Sequence, residues 1–187
     1  MFLRYKLIQV IGGALMLTAA LMAGTFKADQ PILITAAGQS ADVLMVKVLA
    51  QKAGLNFTLD KLAKVESLDK VKSVIVVSGG STKGLGAAKI DKDDELKRVQ
   101  ELVSAATKQG IPIVTMHVGG KARRGSLSDE FNLVAAQAGA CIVVVEGGNE
   151  DGFFTKIAEA NKVPLISIDK IIQVKTVLLD IFSTETE

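Results

Sequence analysis

Reactive side chains are concentrated in one stretch, Met116 to Phe131, which reads MHVGGKARRGSLSDEF. It holds the only histidine of the chain, His117, then Gly119 and Gly120, the cations Lys121, Arg123 and Arg124, and finally Ser126, Ser128 and Asp129. An imidazole with hydroxyls and a carboxylate nearby is material for acid–base or nucleophilic catalysis. Arginines behind a pair of glycines suit a different task, closing over an acidic ligand with the two parallel N–H···O bonds that a carboxylate favours. The same residues also fit a plain loop between a strand and a helix. Nearness in sequence is not triad geometry, and the nucleophile-elbow pattern GxSxG is absent. No catalytic residue is therefore assigned, and His117 stands as the one acid–base candidate.

Two further segments belong with it. In TAAGQSAD, Gly38, Gln39 and Ser40 precede a helix whose first N–H groups and positive dipole end suit a carboxylate or phosphate. Ser40 is equally explained as the helix N-cap. From Ser78 to Gly86 the chain carries four glycines, among them Gly79 and Gly80, hydroxyls at Ser78, Ser81 and Thr82, and the cation Lys83. Glycine lets backbone approach an anion, so this segment reads as a cradle, or else as a long flexible crossover loop. It matches neither the P-loop nor the dinucleotide fingerprint. Glu146, Asn149, Glu150 and Asp151 bring acids to a fourth loop, but their spacing is not that of an EF-hand, and Asp151 also suits a helix start.

With one cysteine, Cys141, and one histidine, the chain can form neither an internal disulfide nor a multi-thiolate metal site. No metal and no cofactor is expected. Cys141 opens a strand, where it reads as a small core residue rather than a nucleophile.

The elements that must position these loops follow from periodicity. Apolar, β-branched runs at 31–35, 55–59, 73–77, 111–118, 141–146 and 163–168 alternate with helical patterns such as ADVLMVKVLAQKAG, DDELKRVQELVSAATKQG and SDEFNLVAAQAG. The last is expected to start on Ser126 or Ser128 as its N-cap, and each closes on a glycine suited to a left-handed cap. Strand and helix alternating six times predict an α/β fold, a three-layer, doubly wound and mostly parallel sheet of about six strands, Rossmann-like or flavodoxin-like. LNFTL alternates apolar and polar residues as an edge strand does, which gives the order 2-1-3-4-5 with the sixth strand beyond. Ligands of such sheets bind outside the carboxyl ends of the strands where the order reverses, here between the first and third.

Of the residues, 49% are hydrophobic and only 4% aromatic, so the core must be built from Ala, Val, Ile and Leu. Basic and acidic residues number 22 and 20; setting aside Arg4 and Lys6 leaves 20 of each, a balance that argues against a nucleic-acid partner. Those two cations precede Leu7–Gly24, 18 residues without a charge and ending in small residues. Residues 1–25 thus read as a secretory signal, with an uncleaved membrane anchor as the alternative, and residues 30–183 as one exported domain. Membrane contact is expected only through that segment if it is retained. No cysteine follows it to carry a lipid.

The strings ITAAGQSADVLMVKVLA, VVSGGSTKGLGAAKID, MHVGGKARRGSLSDEFN and DGFFTKIAEANKVPL together resemble a family of exported bacterial α/β proteins catalogued as a domain of unknown function. The resemblance covers about Ile32 to Leu165. It implies export and one Rossmann-like domain, and assigns no reaction, ligand or catalytic residue.

Three functions fit these observations. The first is an extracytoplasmic binding module for a small anion, most simply a carboxylate, serving a transporter or another envelope protein. Its contacts would come from Gly38, Gln39, Ser40, from Ser78 to Lys83, and from His117, Gly119, Gly120, Arg123 and Arg124. The second is a hydrolase or transferase using His117 in the same crevice. The third is a membrane-anchored interaction domain.

Overall fold

The computed structural model describes residues 26–182, so the leader expected at 1–25 lies outside the described residues. Six strands, β1 (Ile32–Ala37), β2 (Phe57–Leu59), β3 (Ser73–Ser78), β4 (Ile113–His117), β5 (Cys141–Val145) and β6 (Leu165–Ile168), form one all-parallel sheet in the order β2-β1-β3-β4-β5-β6. The expected α/β architecture and strand order are those of the molecule. β1, β3 and β4 are buried along their whole length, as strands covered on both faces must be, and the short β2 holds the edge.

Helices α1 (Asp42–Lys52) and α6 (Val174–Ile181) cover one face, where Val43, Val46, Leu49, Val177, Leu178 and Ile181 pack on Ile32, Ile34, Ile75, Val114 and Met116. On the other face lie α3 (Lys92–Lys108) and α4 (Ser126–Ala138), with Val99, Leu102 and Phe131 on Leu33, Val74 and Val76. Beside them, α5 (Phe153–Asn161) packs Phe154 and Ala158 on Ile142 and Val144. Aliphatic and small residues supply most of this core, as the composition requires.

Three local expectations are corrected. The segment after β3 is not a long loop: Ser81 caps a short helix, α2 (Thr82–Ala88), its Oγ accepting from the Gly84 N–H at 3.1 Å. Neither serine caps α4. Gly125 at φ 111° is the cap residue, Ser126 is the first helical residue, and Ser128 turns inward to the loop after β3. Gly139, after α4, is extended rather than left-handed, although Gly54 and Gly110 after α1 and α3 do take φ +71°.

Candidate functional site

The carboxyl ends of β1, β3 and β4 converge where the strand order reverses, and the loops leaving them interlock. Ser81 N–H donates to the Gly38 carbonyl at 2.9 Å, Gly79 N–H to Ala37, and Gly80 N–H to Ser128 Oγ at 3.0 Å. Gly38 N–H ends on Glu95 Oε1 at 3.0 Å. The backbone donors expected to cradle an anion are thus taken by this chain's own oxygens. A methyl group on Gly38 would lie 2.6 Å from the Phe131 ring, and one on Gly80 2.8 Å from Leu127. These glycines allow the loops to pack against α4 and, at Gly38, against each other. That corrects the cradle reading of Gly38, Gly79, Gly80 and Ser81. Thr82 and Lys83 lie exposed on the first turn of α2.

Beneath the first loop lies an ion pair that sequence reading did not single out. Glu95 and Arg98 of α3 are 0% and 7% exposed and meet at 2.7 Å. Arg98 also donates to the carbonyls of Ala36 and Ala63. Glu95 Oε1 accepts from Gly38 N–H and from Gln39 Nε2 at 3.0 Å. Gln39 sits at φ 58°, a left-handed conformation that costs a non-glycine residue on the order of 1 kcal/mol. The carboxylate holding that turn from two sides explains how the conformation persists. Ser40 is not the N-cap of α1, a place taken by Ala41. Its Oγ donates to Asp42 Oδ2 at 2.7 Å and accepts the Asp42 N–H at 3.2 Å.

The loop after β4 divides its two arginines between different tasks. Arg124 Nε and Nη2 meet the two oxygens of Asp129, Nη1 and Nη2 meet those of Asp151, and Nη1 also reaches the Gly148 carbonyl at 2.6 Å. Its guanidinium stacks 4.6 Å from the Phe153 ring centre. Arg124 hydrogen bonds hold the Asp151 carboxyl well below the usual range. Burial pushes Asp129 the other way, yet hydrogen bonds from Arg124 and Asn132 leave it lowered as well. Arg124 is therefore a clamp between α4 and the loop after β5. Arg123 is different: its Nε donates to Asp42 Oδ2 at 3.1 Å, and its Nη groups make no hydrogen bond among the described residues. A methyl on Gly119 would fall 2.1 Å from the Arg123 Cγ and 2.5 Å from Asp42 Oδ2, so Gly119 makes room for this pair. Gly120 turns the chain at φ 59° and offers its carbonyl to His117.

His117 is completely buried at the end of β4. Nδ1 faces Asn132 Oδ1 and Nε2 faces the Gly120 carbonyl, each at 3.2 Å, and the ring lies 4.8 Å from that of Phe154. Asn132 Nδ2 donates to the Arg123 carbonyl and to Asp129, which fixes its oxygen toward the imidazole. Burial pushes the His117 pKa below its ordinary 6.5 against these two hydrogen bonds, and the charge of Arg124 pushes the same way. A neutral ring can donate to only one of its two oxygens. Below pH ~6.5 the unfolded chain binds a proton that the folded chain resists, so this contribution is whole above that pH and shrinks as pH falls. Urea midpoints should drop between about pH 7.5 and 5.5, and His117→Gln should flatten that slope. An unchanged slope would mean that His117 titrates alike in both states.

Burial pushes the thiol of Cys141 up to about 12, as suits a core residue. No group of three or more His, Cys, Asp or Glu residues able to hold a metal occurs among the described residues. Asp42, Asp129, Glu95, Arg98 and Asn132 complete the site. Asp129 was already named beside His117 from the sequence; for Glu95 and Arg98 the one sequence signal was polarity on an otherwise apolar side of α3, shared with Val99 and Leu102.

The chain belongs to the family described as a domain of unknown function, DUF6305, whose model matches residues 29–182. No curated protein matches it. Among solved structures it is similar to a GDSL-like lipase from Bacteroides thetaiotaomicron VPI-5482, at 10% identity and a TM-score of 0.35, over 73% of this chain and 66% of that one, just under two thirds of its length. A putative acylhydrolase from Bacteroides fragilis NCTC 9343 matches at 10% identity and 0.35, over 78% and 72%. The esterase AlinE4, described as of the SGNH-hydrolase family, matches at 13% and 0.29, over 73% and 76%. No shared mechanism follows from likeness at these levels.

Proposed function

We propose, for a member of a family whose description assigns no activity, that this chain is a non-catalytic binding module working outside the cytoplasm, with a small carboxylate as its ligand. The observation that carries this reading is the half-used guanidinium of Arg123, whose Nε is fixed on Asp42 while both Nη groups are left to a ligand. Asp42 is itself oriented by Ser40, so the fork is aimed before any ligand arrives, and aiming in advance lowers the entropy cost of binding. A planar fork meets a carboxylate with two parallel bonds. His117 favours binding over acid–base chemistry, since both its nitrogens face oxygens of the fold and no part of it reaches the surface. The leader Met1–Thr25 supports the compartment.

Thermal melting of the protein against a panel of mono- and dicarboxylic acids tests the reading. At least one acid should raise the midpoint, as a ligand of the native state must. Arg123→Ala should weaken that acid about tenfold or more, and Arg123→Lys should restore little, because an ammonium lacks the fork. Arg124→Ala should lower the midpoint of the ligand-free protein instead. A flat response to every acid, or an Arg123→Ala variant that binds like wild type, would end this reading.

A further inference from the structure

The layer of α1 and α6 is apolar on both of its sides. Val43, Val46, Leu49 and Ala50 of α1 face the sheet, while Leu44, Met45 and Val48 are 40–48% exposed on the opposite side of the same helix. On α6, Val174, Val177, Leu178 and Ile181 are buried, and Leu179 is 40% exposed away from them. Ile172, in the turn leading into α6, is 59% exposed. Single exposed leucines are ordinary. Here, however, Leu44, Met45, Val48 and Leu179 share the outer surface of two helices in one layer.

Lysines accompany that surface: Lys47 and Lys52 on α1 and Lys175 on α6. The acids of the same elements are Asp42, engaged by Arg123, and Asp180. Apolar residues edged by long cations are what an interfacial helix presents to an anionic bilayer, with the ammonium groups reaching back to the phosphates.

The chain also enters the fold at this layer. Phe26 packs against the cluster that includes α6, Lys27 Nζ donates to the Asp180 carbonyl, and Ala28 N–H bonds to the Ile181 carbonyl at 3.0 Å. In sequence only Thr25 separates Phe26 from the uncharged Leu7–Gly24, whose 18 residues approach the roughly 20 that span a bilayer. A chain anchored through that segment would bring the end of α6 to the lipid surface.

We infer that the outer side of α1 and α6 is a lipid-facing surface, and that its occupant is the headgroup and upper acyl region of the bilayer holding Leu7–Gly24. Leu44, Met45, Val48 and Leu179 dip into it and Lys47, Lys52 and Lys175 meet its phosphates. The two helices lie in the membrane plane, and the carboxyl edge of the sheet, with Arg123, opens along the membrane rather than into it. This surface is separate from the carboxylate site and stands or falls without it.

The test uses the full chain in vesicles of phosphatidylglycerol and phosphatidylethanolamine, with a nitroxide attached in turn to Met45→Cys, Leu179→Cys and, on the opposite layer, Glu101→Cys. The native Cys141 is fully buried and will not compete for the label. Relaxation by oxygen, which partitions into lipid, is compared with relaxation by a nickel chelate, which stays in water. The labels at 45 and 179 should favour oxygen several-fold, and the label at 101 should favour nickel. Leu44→Glu with Val48→Glu, both at outward positions where folding is undisturbed, should raise nickel access at 179. Nickel access at all three labels would overturn the inference. So would shielding of 45 and 179 from both agents, which would mean that protein, a second copy or another chain, covers the face. Recovery from producing cells of a soluble form lacking the leader would remove the tether and overturn it as well.

Discussion

Replacing Arg98 with alanine should cost about 3–5 kcal/mol of stability, read as a large drop in the urea midpoint with little change in slope. The substitution leaves Glu95, a carboxylate with no exposed surface, facing Gly38 and Gln39 without its counter-charge. It also strips the carbonyls of Ala36 and Ala63 of their donor. A domain of this size is stable by only about 5–15 kcal/mol, so the variant should lose a large share of its stability. Removing both charges, as Glu95→Leu with Arg98→Met, should recover part of the loss, because the unpaired buried charge is the costly species. Recovery should be incomplete, since the Gly38 N–H and the Gln39 amide then lose their shared acceptor. A loss below about 1 kcal/mol in the single variant, the scale of an exposed ion pair, would show that this pair does not hold the turn.

Gly84→Ala should destabilise, against the usual rule for helices. In a helix interior the exchange gains about 1 kcal/mol from backbone entropy alone. A methyl on Gly84, however, would stand 1.9 Å from the Gln39 carbonyl oxygen, so either α2 or the turn after β1 must move. Overpacking against backbone should outweigh the gain, for a net loss of about 2 kcal/mol. Gly86→Ala provides the control two residues on: nothing lies within 4 Å of its added methyl, so it should gain up to about 1 kcal/mol. Opposite signs from one substitution within one short helix would show that close contact between the first and third loops, rather than flexibility, accounts for Gly84. Calorimetric midpoints of the two variants are sufficient to decide.

The sheet was legible because period and composition act together on buried parallel strands: runs such as SVIVV have no polar alternation to misread. The edge position of β2 was legible for the complementary reason. Loops were less so. Glycine content predicts that backbone comes close to something, and in this molecule the partners belong to the fold itself: Phe131 and the loop after β3 for Gly38, the first turn of α4 for Gly80, and the turn after β1 for Gly84. Sequence spacing likewise gave Arg123 and Arg124 one role between them. Their separation depends on Asp129 and Asp151 lying on either side of Arg124, a contact that spans 27 residues at its longer reach. Glu95 and Arg98 were hidden because a charged pair at i, i+3 on a helix usually signals a solvated face. Here the first turns of α3 lie under the β1 turn instead.

The junction of Ala28 with Ile181 bears on synthesis of the chain. Much of the apolar cover over Ile32, Ile34 and Val43 is supplied by Val177, Leu178, Ile181 and Phe182, residues made more than a hundred positions later. At typical elongation rates of about 5–20 residues per second, the first strand waits on the order of ten seconds for its lid. During that interval the nascent chain has no closed core on the α1 side. It is then open to chaperones or to threading through a pore, and the emergence of α6 becomes the moment at which the domain can lock.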